Sequence, residues 1–536
     1  MSPTSRIRPA HPPRTALADL ARAHGLRLTG PAAGAGEALG ITLDNRGLAP
    51  GEIFAALPGA HTHGARFAAA AAAAGASAVL TDASGAAAAE AAGIPVLVAD
   101  VDGSGDGAGR AEFREIVAAV AADVYGRPAE RLRTFAVTGT NGKTTTSFLL
   151  AHLLGLLGRR VGLIGTVELR IGDAVVPARL TTPEAPDLHA LLAHMVEAGV
   201  TDLVMEVSSH ALELHRVDPV RFDLAAFTHL TQDHLDFHGD LEHYYAAKAS
   251  LFTPARARRA VVSVDDEWGR RLAGDARAAG IDVATLATRG EHAAAAAWTV
   301  RDVVAGADAM SFTLTGPGDV ALTTSLTMPG AFNVANAALA LATAIEGGVP
   351  AADVVEALAA AGGLRVAVPG RMEVVGAEPR CVVDFAHNTD AVGIALAELR
   401  ATTSGRLHVV LGATGERDRG KRPAMGEAAV LGADAVIVTD DDPHDEDPAQ
   451  VRAEVLAGAL RAAETARAAG RHVDVREVAP RSAAIAAAVA GAAPEDTVLV
   501  AGRGHETIQE VAGEELPLDD RVEVRAALAR REGRHA

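Results

Sequence analysis

Short, continuous apolar runs alternate with longer helical segments along most of the chain, and each run leads into a polar loop. In the last third, the runs cover residues 381–385, 407–411, 435–438 and 497–500. Strands of a parallel sheet are covered on both faces and have such continuous apolar sequences, so the pattern predicts a parallel α/β sheet. Ligands of open α/β sheets bind at the carboxyl ends of strands, so the loops that follow are predicted to line a site.

The middle of the chain contains a candidate phosphate-binding loop. A predicted strand over 135–137 runs into a glycine-rich turn at 139–142, then into Lys143, Thr144 and an apolar helix. The backbone N–H groups of such a turn, the helix N-terminus and the lysine all favour a phosphate, and the next hydroxyl can hold Mg²⁺. The loop is shorter than the G-x-x-x-x-G-K-[ST] motif, because residue 137 is valine. A glycine-rich turn with a surface lysine is the alternative.

Lysine is rare in this chain. Of 49 lysine and arginine residues, only Lys143, Lys248 and Lys421 are lysine. Arginine cannot replace a compact ammonium on a phosphate, nor an amine that must lose its proton. We therefore expect lysine-specific chemistry at these positions, although the sequence assigns no role to Lys421.

Other polar residues in the same part of the chain follow predicted strands or open predicted helices. Glu206 follows a predicted strand at 203–205, where a carboxylate can contact Mg²⁺ in a nucleotide-binding sheet. A strand-end glutamate without a function is the alternative. His234 lies in the polar stretch 227–239, and Asn336 lies in the first turns of a long predicted helix.

Length and composition limit the class of protein. A chain of 536 residues predicts about three domains, which we place at 26–130, 131–366 and 367–536, after a disordered leader at 1–25. The net charge of −19 argues against a nucleic-acid partner. A single cysteine, Cys381, excludes internal disulfides and fits a reducing cytoplasm. No apolar stretch is long enough for a membrane span.

A series of motifs covers nearly the whole chain from about residue 40. They read G-T-N-G-K-T-T, M-E-V-S-S-H-A-L, D-H-L-D-F-H-G, Y-Y-A-A-K, F-N-V-A-N, G-R-M-E-V, D-F-A-H, E-R-D-R-G-K-R-P-x-M-G and A-G-R-G-H-E. On these motifs the chain resembles the Mur ligase family, and within it the UDP-N-acetylmuramoyl-tripeptide synthetases, which add the third residue of the peptidoglycan stem. The resemblance implies three α/β domains: an N-terminal domain for the nucleotide-linked substrate, a central P-loop ATPase-like domain and a C-terminal Rossmann-like domain. We expect a monomer.

The resemblance also implies roles for individual residues. ATP would be bound by Gly139, Thr140, Asn141, Gly142, Lys143, Thr144, Thr145, Asn336, Arg371 and Asp384. The catalytic residues would be Lys143, Glu206, His234 and Lys248. Thr144 and Glu206 would hold one Mg²⁺, His234 would help to hold a second, and Lys248 as a carbamate would be a further metal ligand. Carbon dioxide adds to an unprotonated amine and gives a carboxylate-like metal ligand, which a guanidinium cannot form. The UDP-muramoyl dipeptide would contact Leu43, Asn45, Thr181, Thr182, Ser208 and Arg216, whereas Leu180 stands where some members have asparagine. The third amino acid would contact Arg417, Asp441, Asp442, Pro443, His444, Gly502 and Glu506.

The reaction implied by the resemblance joins an acid to an amine. ATP would phosphorylate the free side-chain carboxylate of D-glutamate, and an amine would attack the resulting acyl phosphate through a tetrahedral intermediate. Positive charge stabilises the phosphoryl transfer, and domain closure keeps water away from the acyl phosphate.

The third amino acid is the point at which the sequence departs from the family pattern. Members that add meso-2,6-diaminopimelate carry D-N-P-R, whose arginine binds the distal carboxylate through two hydrogen bonds. Residues 441–444 here read D-D-P-H, with one more carboxylate and no arginine. We therefore expect L-lysine or a related diamine such as ornithine. Meso-2,6-diaminopimelate is the alternative, because Arg417 and Glu506 match that type.

Three other functions remain open from the sequence. A folylpolyglutamate-type ligase would share the loop, the carbamate and the fold. A P-loop phosphotransferase would release a phosphorylated product and need no amine. A catalytically silent nucleotide-binding partner would not need the four candidate catalytic residues.

Overall fold

The computed structural model describes residues 6–31, 34, 36–59, 62–103, 107–178, 180–290, 295–306, 309–416 and 418–535. Within them the chain forms three large sheets with helices between the strands, which confirms the predicted α/β class. The strands of each large sheet lie within one of the three predicted segments, whereas the domain boundaries themselves stay a prediction. None of the described helices is long and apolar enough to cross a lipid bilayer.

The N-terminal unit is built on a five-stranded sheet. Its elements are β1 (Thr15–Ala16), α1 (Leu17–Ala23), β2 (Arg27–Thr29), β3 (Glu37–Ala38), β4 (Gly40–Thr42), β5 (Glu52–Ala55), α2 (Ala68–Ala73), β6 (Ala78–Thr81), α3 (Ala86–Glu90), β7 (Val96–Val98) and α4 (Ala108–Val124). The strand order is β2–β7–β6–β5–β4, with β2 antiparallel, while β1 and β3 form a separate pair. Strands β4 and β5 are parallel and joined by the loop 43–51.

The predicted disordered leader, residues 1–25, is wrong for the part that the structure describes, which begins at Arg6. Leu17 at the start of α1 is fully buried in the core of the N-terminal unit. Arg6 and Arg8 both reach the carboxylate of Glu52, which is 3% exposed. The arginine-rich and proline-rich composition suggested disorder, but these arginines pair with a buried carboxylate that the local sequence does not reveal.

Replacing Arg8 with alanine is expected to destabilise the N-terminal unit by about 1–3 kcal/mol, because a buried carboxylate loses a charged hydrogen-bond donor. Arg8 donates to Glu52 through Nε at 2.7 Å and through Nη2 at 3.2 Å. Arg14→Ala is the matched control, since the ion pair between Arg14 and Glu37 is largely exposed and contributes little. Calorimetric unfolding should show a lower melting temperature for the Arg8 variant only, and equal shifts would contradict the assignment.

The central unit is built on an eleven-stranded sheet. Its elements are β8 (Arg133–Thr138), α5 (Lys143–Leu156), β9 (Val161–Ile164), β10 (Glu168–Ile171), β11 (Ala174–Pro177), α6 (Ala185–Glu197), β12 (Asp202–Glu206), α7 (Ser209–Glu213), β13 (Phe222–Phe227), α8 (Leu235–His238), α9 (Leu241–Ala249), β14 (Ala257–Ser263), α10 (Glu267–Ala278), β15 (Asp282–Ala287), β16 (Trp298–Ala305), β17 (Met310–Gly316), β18 (Val320–Leu326), α11 (Ala331–Glu346) and α12 (Ala351–Ala361). The order is β11–β10–β9–β12–β8–β13–β14–β15–β16–β17–β18. The seven strands from β9 to β16 in this order are parallel, and antiparallel strands extend both edges.

Both faces of the central sheet are buried, which explains the continuous apolar runs of its strands. On β12, Leu203 and Met205 pack into the core on one face, and Val204 packs into the core on the other. Alternate residues of a strand point to opposite faces, so a strand with helices on both sides has to be apolar at every position.

The C-terminal unit is built on a six-stranded sheet. Its elements are β19 (Glu373–Ala377), β20 (Arg380–Asp384), α13 (Thr389–Thr402), β21 (Leu407–Leu411), α14 (Lys421–Gly432), β22 (Ala435–Val438), α15 (Pro448–Ala468), β23 (Asp474–Glu477), α16 (Arg481–Gly491), β24 (Thr497–Ala501), β25 (Ile508–Val511), β26 (Glu514–Pro517) and α17 (Asp520–His535). The order is β19–β20–β24–β21–β22–β23, with β19 antiparallel. The four predicted strands are β20, β21, β22 and β24, and β25 and β26 form a separate hairpin.

Candidate functional site

The polar loops of the central unit meet at one edge of its sheet. β8 pairs in parallel with β12 and β13, with Glu206 opposite Val137 and Phe227 opposite Thr138. The glycine-rich loop after β8, the carboxylate at the end of β12 and the loop after β13 therefore lie side by side. This is the position at which open α/β sheets bind ligands.

The glycine-rich loop has a backbone that side chains would disrupt. Gly139 and Gly142 have φ angles of +144° and +86°, which L-residues with a Cβ rarely adopt. A Cβ on Gly139 would collide with the hydroxyl of Thr228, and one on Gly142 would collide with the amide oxygen of Asn336. The loop is therefore packed tightly against its neighbours at both glycines, with Gly142 directly beside Asn336.

The ammonium of Lys143 folds back over this loop. Its Nζ donates to the carbonyl oxygens of Gly139 at 3.0 Å and Thr140 at 2.8 Å. Burial lowers the pKa of Lys143, while the negative charges of Glu206 and Asp233 oppose the shift. A partly buried cation at the N-terminus of a helix matches the requirements of an anionic phosphate.

Glu206 is the buried carboxylate of the site. The side chain is 0% exposed and accepts hydrogen bonds from the Thr144 hydroxyl at 3.0 Å and from the Thr166 backbone N–H at 2.9 Å and its hydroxyl at 3.0 Å. A hydroxyl and a carboxylate in contact form a set of hard oxygen ligands, and such ligands fit Mg²⁺. Thr166 was not found from the sequence.

The amine of Lys248 meets Lys143 at the same carbonyl. Lys248 on α9 is 1% exposed, and its Nζ donates to the oxygen of Gly139 at 2.7 Å and lies 4.5 Å from the ring centroid of Tyr244. Burial lowers the pKa of Lys248 well below its ordinary value, and the charge of Lys143 lowers it further, whereas Asp233 opposes the shift. The site thus favours the neutral amine, which is the form that reacts with carbon dioxide.

His234 begins the short helix α8 beside these lysines. Its backbone is left-handed, with a φ angle of +54°. Burial lowers the pKa of His234 to about 3, against the charge of Asp233. The ring centroid lies 4.9 Å from that of His210 and 6.2 Å from that of Tyr244. A neutral imidazole is the form that binds a metal ion.

Asp233, which sequence reasoning missed, connects the central and C-terminal units. It is 3% exposed, and its carboxylate contacts His387 at 3.5 Å, Asn388 at 3.3 Å and Lys421 at 3.8 Å. Burial would raise the pKa of Asp233, but the hydrogen bond and charge of His387, with the nearby cations, hold it well below its ordinary value. Asp233 begins the motif D-H-L-D-F-H-G, but its partners in the C-terminal unit lie more than one hundred residues away, so the motif alone assigned it no role. Lys421 of the C-terminal unit thus contacts Asp233 of the central unit.

The C-terminal unit also reaches the glycine-rich loop. Arg371 Nη2 lies 3.3 Å from the Thr144 hydroxyl, and its guanidinium carbon lies 4.2 Å from the ring centroid of Phe385. Asn388 donates to the side-chain oxygen of Asn141 at 3.2 Å. Asp384 accepts a hydrogen bond from the backbone N–H of Met372, the residue after Arg371, at 2.7 Å. Burial raises the pKa of Asp384, against the charge of Arg371.

The remaining predicted ATP-site residues also lie on this loop and helix. The Thr140 hydroxyl lies 3.2 Å from the Tyr244 hydroxyl and accepts from the backbone N–H of Thr231 at 3.0 Å. Thr145 is buried on α5. The structure thus brings together nine of the ten residues predicted for ATP. The tenth, Asp384, contacts the backbone next to Arg371 and does not touch the loop itself.

The residues predicted for the dipeptide fall into two groups. Around the end of β12, the Thr182 hydroxyl donates to the Glu206 carbonyl at 2.9 Å and accepts from the Ser208 backbone N–H at 3.2 Å, and Arg216 donates to the Thr182 carbonyl at 3.4 Å. Thr181 joins this group through the Thr166 hydroxyl at 3.0 Å. The second group, Leu43 and Asn45, lies on the loop between β4 and β5 of the N-terminal unit.

The residues predicted for the third amino acid form an acidic cluster in the C-terminal unit. Carboxylate oxygens of Asp441, Asp442 and Glu506 lie within 4.8 Å of one another. Burial, followed by the charge of Asp441, raises the pKa of Glu506 to about 8. Gly502 has a φ angle of +115°, and a Cβ there would collide with the Asp441 carboxylate. Arg417 lies outside the described residues.

Two contacts of this cluster were not expected from the sequence. Arg503, which is 0% exposed, forms an ion pair with Asp442. His444, at a φ angle of +51°, exchanges backbone hydrogen bonds with β25 and the turn after it, and its Nδ1 lies 3.2 Å from the Glu510 carboxylate. Pro443 lies against Gly415, where a Cβ would collide with the Pro443 carbonyl. The motif A-G-R-G-H-E contains Arg503, but spacing alone does not indicate its partner.

Comparison with known families and proteins identifies the class. Family models match residues 37–124 ("Mur ligase family, catalytic domain"), 137–344 ("Mur ligase middle domain") and 370–504 ("Mur ligase, glutamate ligase domain"). A protein of Streptomyces avermitilis named UDP-N-acetylmuramoyl-L-alanyl-D-glutamate--2,6-diaminopimelate ligase is 46% identical over 98% of this chain and 99% of its own length. A UDP-N-acetylmuramyl-tripeptide synthetase of Leifsonia xyli subsp. xyli is 43% identical over 98% of both chains.

A solved structure supports the same class. The structure of a UDP-N-acetylmuramoyl-L-alanyl-D-glutamate--2,6-diaminopimelate ligase superimposes with a TM-score of 0.62 at 30% identity, over 98% of this chain and 100% of that one. The chain belongs to the Mur ligase family, with its three-domain α/β architecture. It is an ATP-dependent ligase of the tripeptide synthetase type, so the family resemblance of the sequence is confirmed.

Proposed function

We propose that this enzyme joins meso-2,6-diaminopimelate to the D-glutamate carboxylate of UDP-N-acetylmuramoyl-L-alanyl-D-glutamate, with ATP as the phosphoryl donor. The observation that carries the proposal is the meeting of Lys143 and Lys248 at the Gly139 carbonyl, next to the Thr144–Glu206 pair. A phosphate loop alone would suit many phosphotransferases. A second buried lysine that favours the neutral amine is what the carbamate of this family requires.

The choice of third amino acid differs from our first expectation of L-lysine. The Streptomyces relative is named for 2,6-diaminopimelate, and it matches almost the full length of this chain. The argument for lysine treated Asp442 as a free carboxylate for a distal ammonium. That carboxylate is instead paired with Arg503 and accepts the Glu510 backbone N–H at 3.0 Å. One of the three carboxylates is thus paired within the protein, which removes the extra carboxylate as a ground for preferring a diamine.

In the proposed reaction, each group of residues has a separate task. Lys143 binds the outer phosphates and offsets the charge that develops as phosphate passes to the substrate carboxylate. Thr182, Ser208 and Arg216 position the dipeptide at the end of β12. Arg371 of the C-terminal unit reaches the Thr144 hydroxyl, so the two units close over the acyl phosphate and keep water away from it.

The residues around Glu206 fit a bound Mg²⁺. Thr144 and Glu206 would supply oxygen ligands to one Mg²⁺, and a neutral His234 would help to hold a second. Lys248, as its carbamate, would add a further carboxylate-like oxygen ligand. The metal ion would neutralise phosphate charge during the transfer. We expect the enzyme to act as a monomer in the cytoplasm, where its single, buried cysteine stays reduced.

A panel of amino acids tests the proposal. With ATP, Mg²⁺ and the UDP-muramoyl dipeptide, phosphate release should require an amino acid, and kcat/KM should be highest for meso-2,6-diaminopimelate. The expected preference over L-lysine and ornithine is about 10²-fold or more, because an unpaired charged group at a specific site costs about 2–5 kcal/mol. A coupled assay of phosphate release measures the requirement for an amino acid and the kcat/KM values, and mass spectrometry of the nucleotide product identifies the amino acid that was added.

Each contrary result of the panel has its own meaning. Exclusive use of L-lysine would restore the diamine hypothesis and overturn the choice of amino acid. Phosphate release without any amine, with a phosphorylated product, would indicate a phosphotransferase. Glutamate addition to a folate substrate would indicate a folylpolyglutamate-type ligase.

A further inference from the structure

Asp442 and Arg503 form a partly buried ion pair within the acidic cluster. The Arg503 guanidinium is 0% exposed, and its Nη1 contacts Asp442, lies 3.7 Å from Glu506 and 4.0 Å from Asp441. Its Nη2 donates to the backbone carbonyl of Ile508 at the start of β25. One guanidinium therefore faces all three carboxylates and is fixed by the hairpin β25–β26.

Two other cations lie near the cluster: Arg371, whose charge lowers the pKa of Glu506, and Arg481, which is already paired. Arg481 lies at the start of α16, and it donates to both carboxylate oxygens of Asp520 at 2.7 and 2.8 Å and to the Ala501 carbonyl at 2.8 Å. Among the described residues, Arg503 is thus the cation in direct contact with the cluster. Its charge therefore makes the most direct contribution to the balance of charge in the pocket.

The balance of charge in the pocket bears on which amino acid it accepts. A distal ammonium gains from every additional negative charge nearby, whereas a distal carboxylate is repelled by it. Three carboxylates without a cation would favour a simple diamine. Because Asp442 is paired with Arg503, Asp441 and Glu506 are the carboxylates that remain to contact a substrate ammonium. Glu506 is the more accessible of the two, with 35% of its side chain exposed against 5% for Asp441.

We propose that Arg503 is a specificity-determining residue: by pairing with Asp442, it offsets the extra carboxylate of the D-D-P-H loop and allows a third amino acid with a distal carboxylate as well as an ammonium. The inference rests on the proposed function, because it concerns the pocket for the third amino acid. It explains how one chain can lack both the asparagine and the arginine of D-N-P-R and still accept a zwitterionic side chain.

The test compares kcat/KM for meso-2,6-diaminopimelate with kcat/KM for L-lysine in four variants. Arg503→Met should shift the ratio toward lysine by about tenfold or more, since it leaves Asp442 unpaired. The double variant D442N/R503M should return the ratio toward that of the unmodified enzyme, because both charges are gone. Arg503→Lys keeps the charge and should keep the ratio within about threefold. Asp442→Asn alone should shift the ratio the other way.

The outcomes separate this inference from the proposed function. Equal losses for both amino acids in a folded Arg503→Met variant, with no rescue by Asp442→Asn, would show a structural role only and overturn the inference. If Arg503→Met does not fold, the single variant Asp442→Asn decides, and an unchanged ratio there overturns the inference. The proposed function fails instead on the unmodified enzyme, if it does not use diaminopimelate.

Discussion

Replacing Lys248 with alanine is expected to lower kcat for amide formation by at least about 10²-fold, because the proposed carbamate would be lost as a metal ligand together with its charge. Small carboxylic acids such as acetate or propionate should restore part of the activity. The deleted side chain leaves a buried space beside Gly139 in which a carboxylate can replace the carbamate. Amino-acid-dependent phosphate release, measured against carboxylate concentration, gives the result.

Lys248→Arg is the matched control for this prediction. Arginine keeps a positive charge at the same place but cannot lose a proton to react with carbon dioxide. We expect it to be as inactive as the alanine variant and, because the space is filled, not to respond to added carboxylates. An arginine variant with full activity would show that Lys248 acts as a cation, and the carbamate would have to be abandoned.

The environment of Lys248 supports the carbamate on physical grounds. The amine is buried and faces a second ammonium, and both conditions disfavour the protonated form. Carbamate formation adds carbon dioxide to the neutral amine and releases a proton, so Lys248 becomes an anion that attracts the ammonium of Lys143. The ¹³C NMR spectrum of enzyme in labelled bicarbonate should therefore show a carbamate signal that is missing in both variants.

The strands and the phosphate loop were predictable from the sequence because they depend on local patterns. β21 and β22 were predicted at their observed bounds, since a strand buried on both faces is apolar at every position. The loop at 139–142 was recognisable because its glycines meet steric demands that no other residue satisfies. The alternating strands β17 and β18 carry a weaker signal, and they were not predicted.

Contacts between distant parts of the chain were not predictable. Arg8 looked like part of a disordered leader, because Glu52 is separated from it by 44 positions. Asp442 looked like a free acid, because its partner Arg503 lies 61 positions away. Charged residues are ambiguous in sequence: the same side chain can bind a substrate or an internal partner, and only the fold decides.

Replacing Lys143 with arginine is expected to lower kcat by about 10²–10³-fold, the usual effect of losing one preorganised group that stabilises transition-state charge. The Nζ of Lys143 lies within 3.0 Å of two carbonyl oxygens of its own loop. A planar guanidinium cannot reproduce the position of this compact ammonium. Lys421→Arg is the matched control. A guanidinium can also form the ion pair that Lys421 makes with Asp233 at 3.8 Å, so we expect this variant to lose less than tenfold in kcat. Steady-state phosphate release and thermal unfolding of both variants measure the difference. Equal losses in two folded variants would show that the scarcity of lysine carries no information about the phosphate loop.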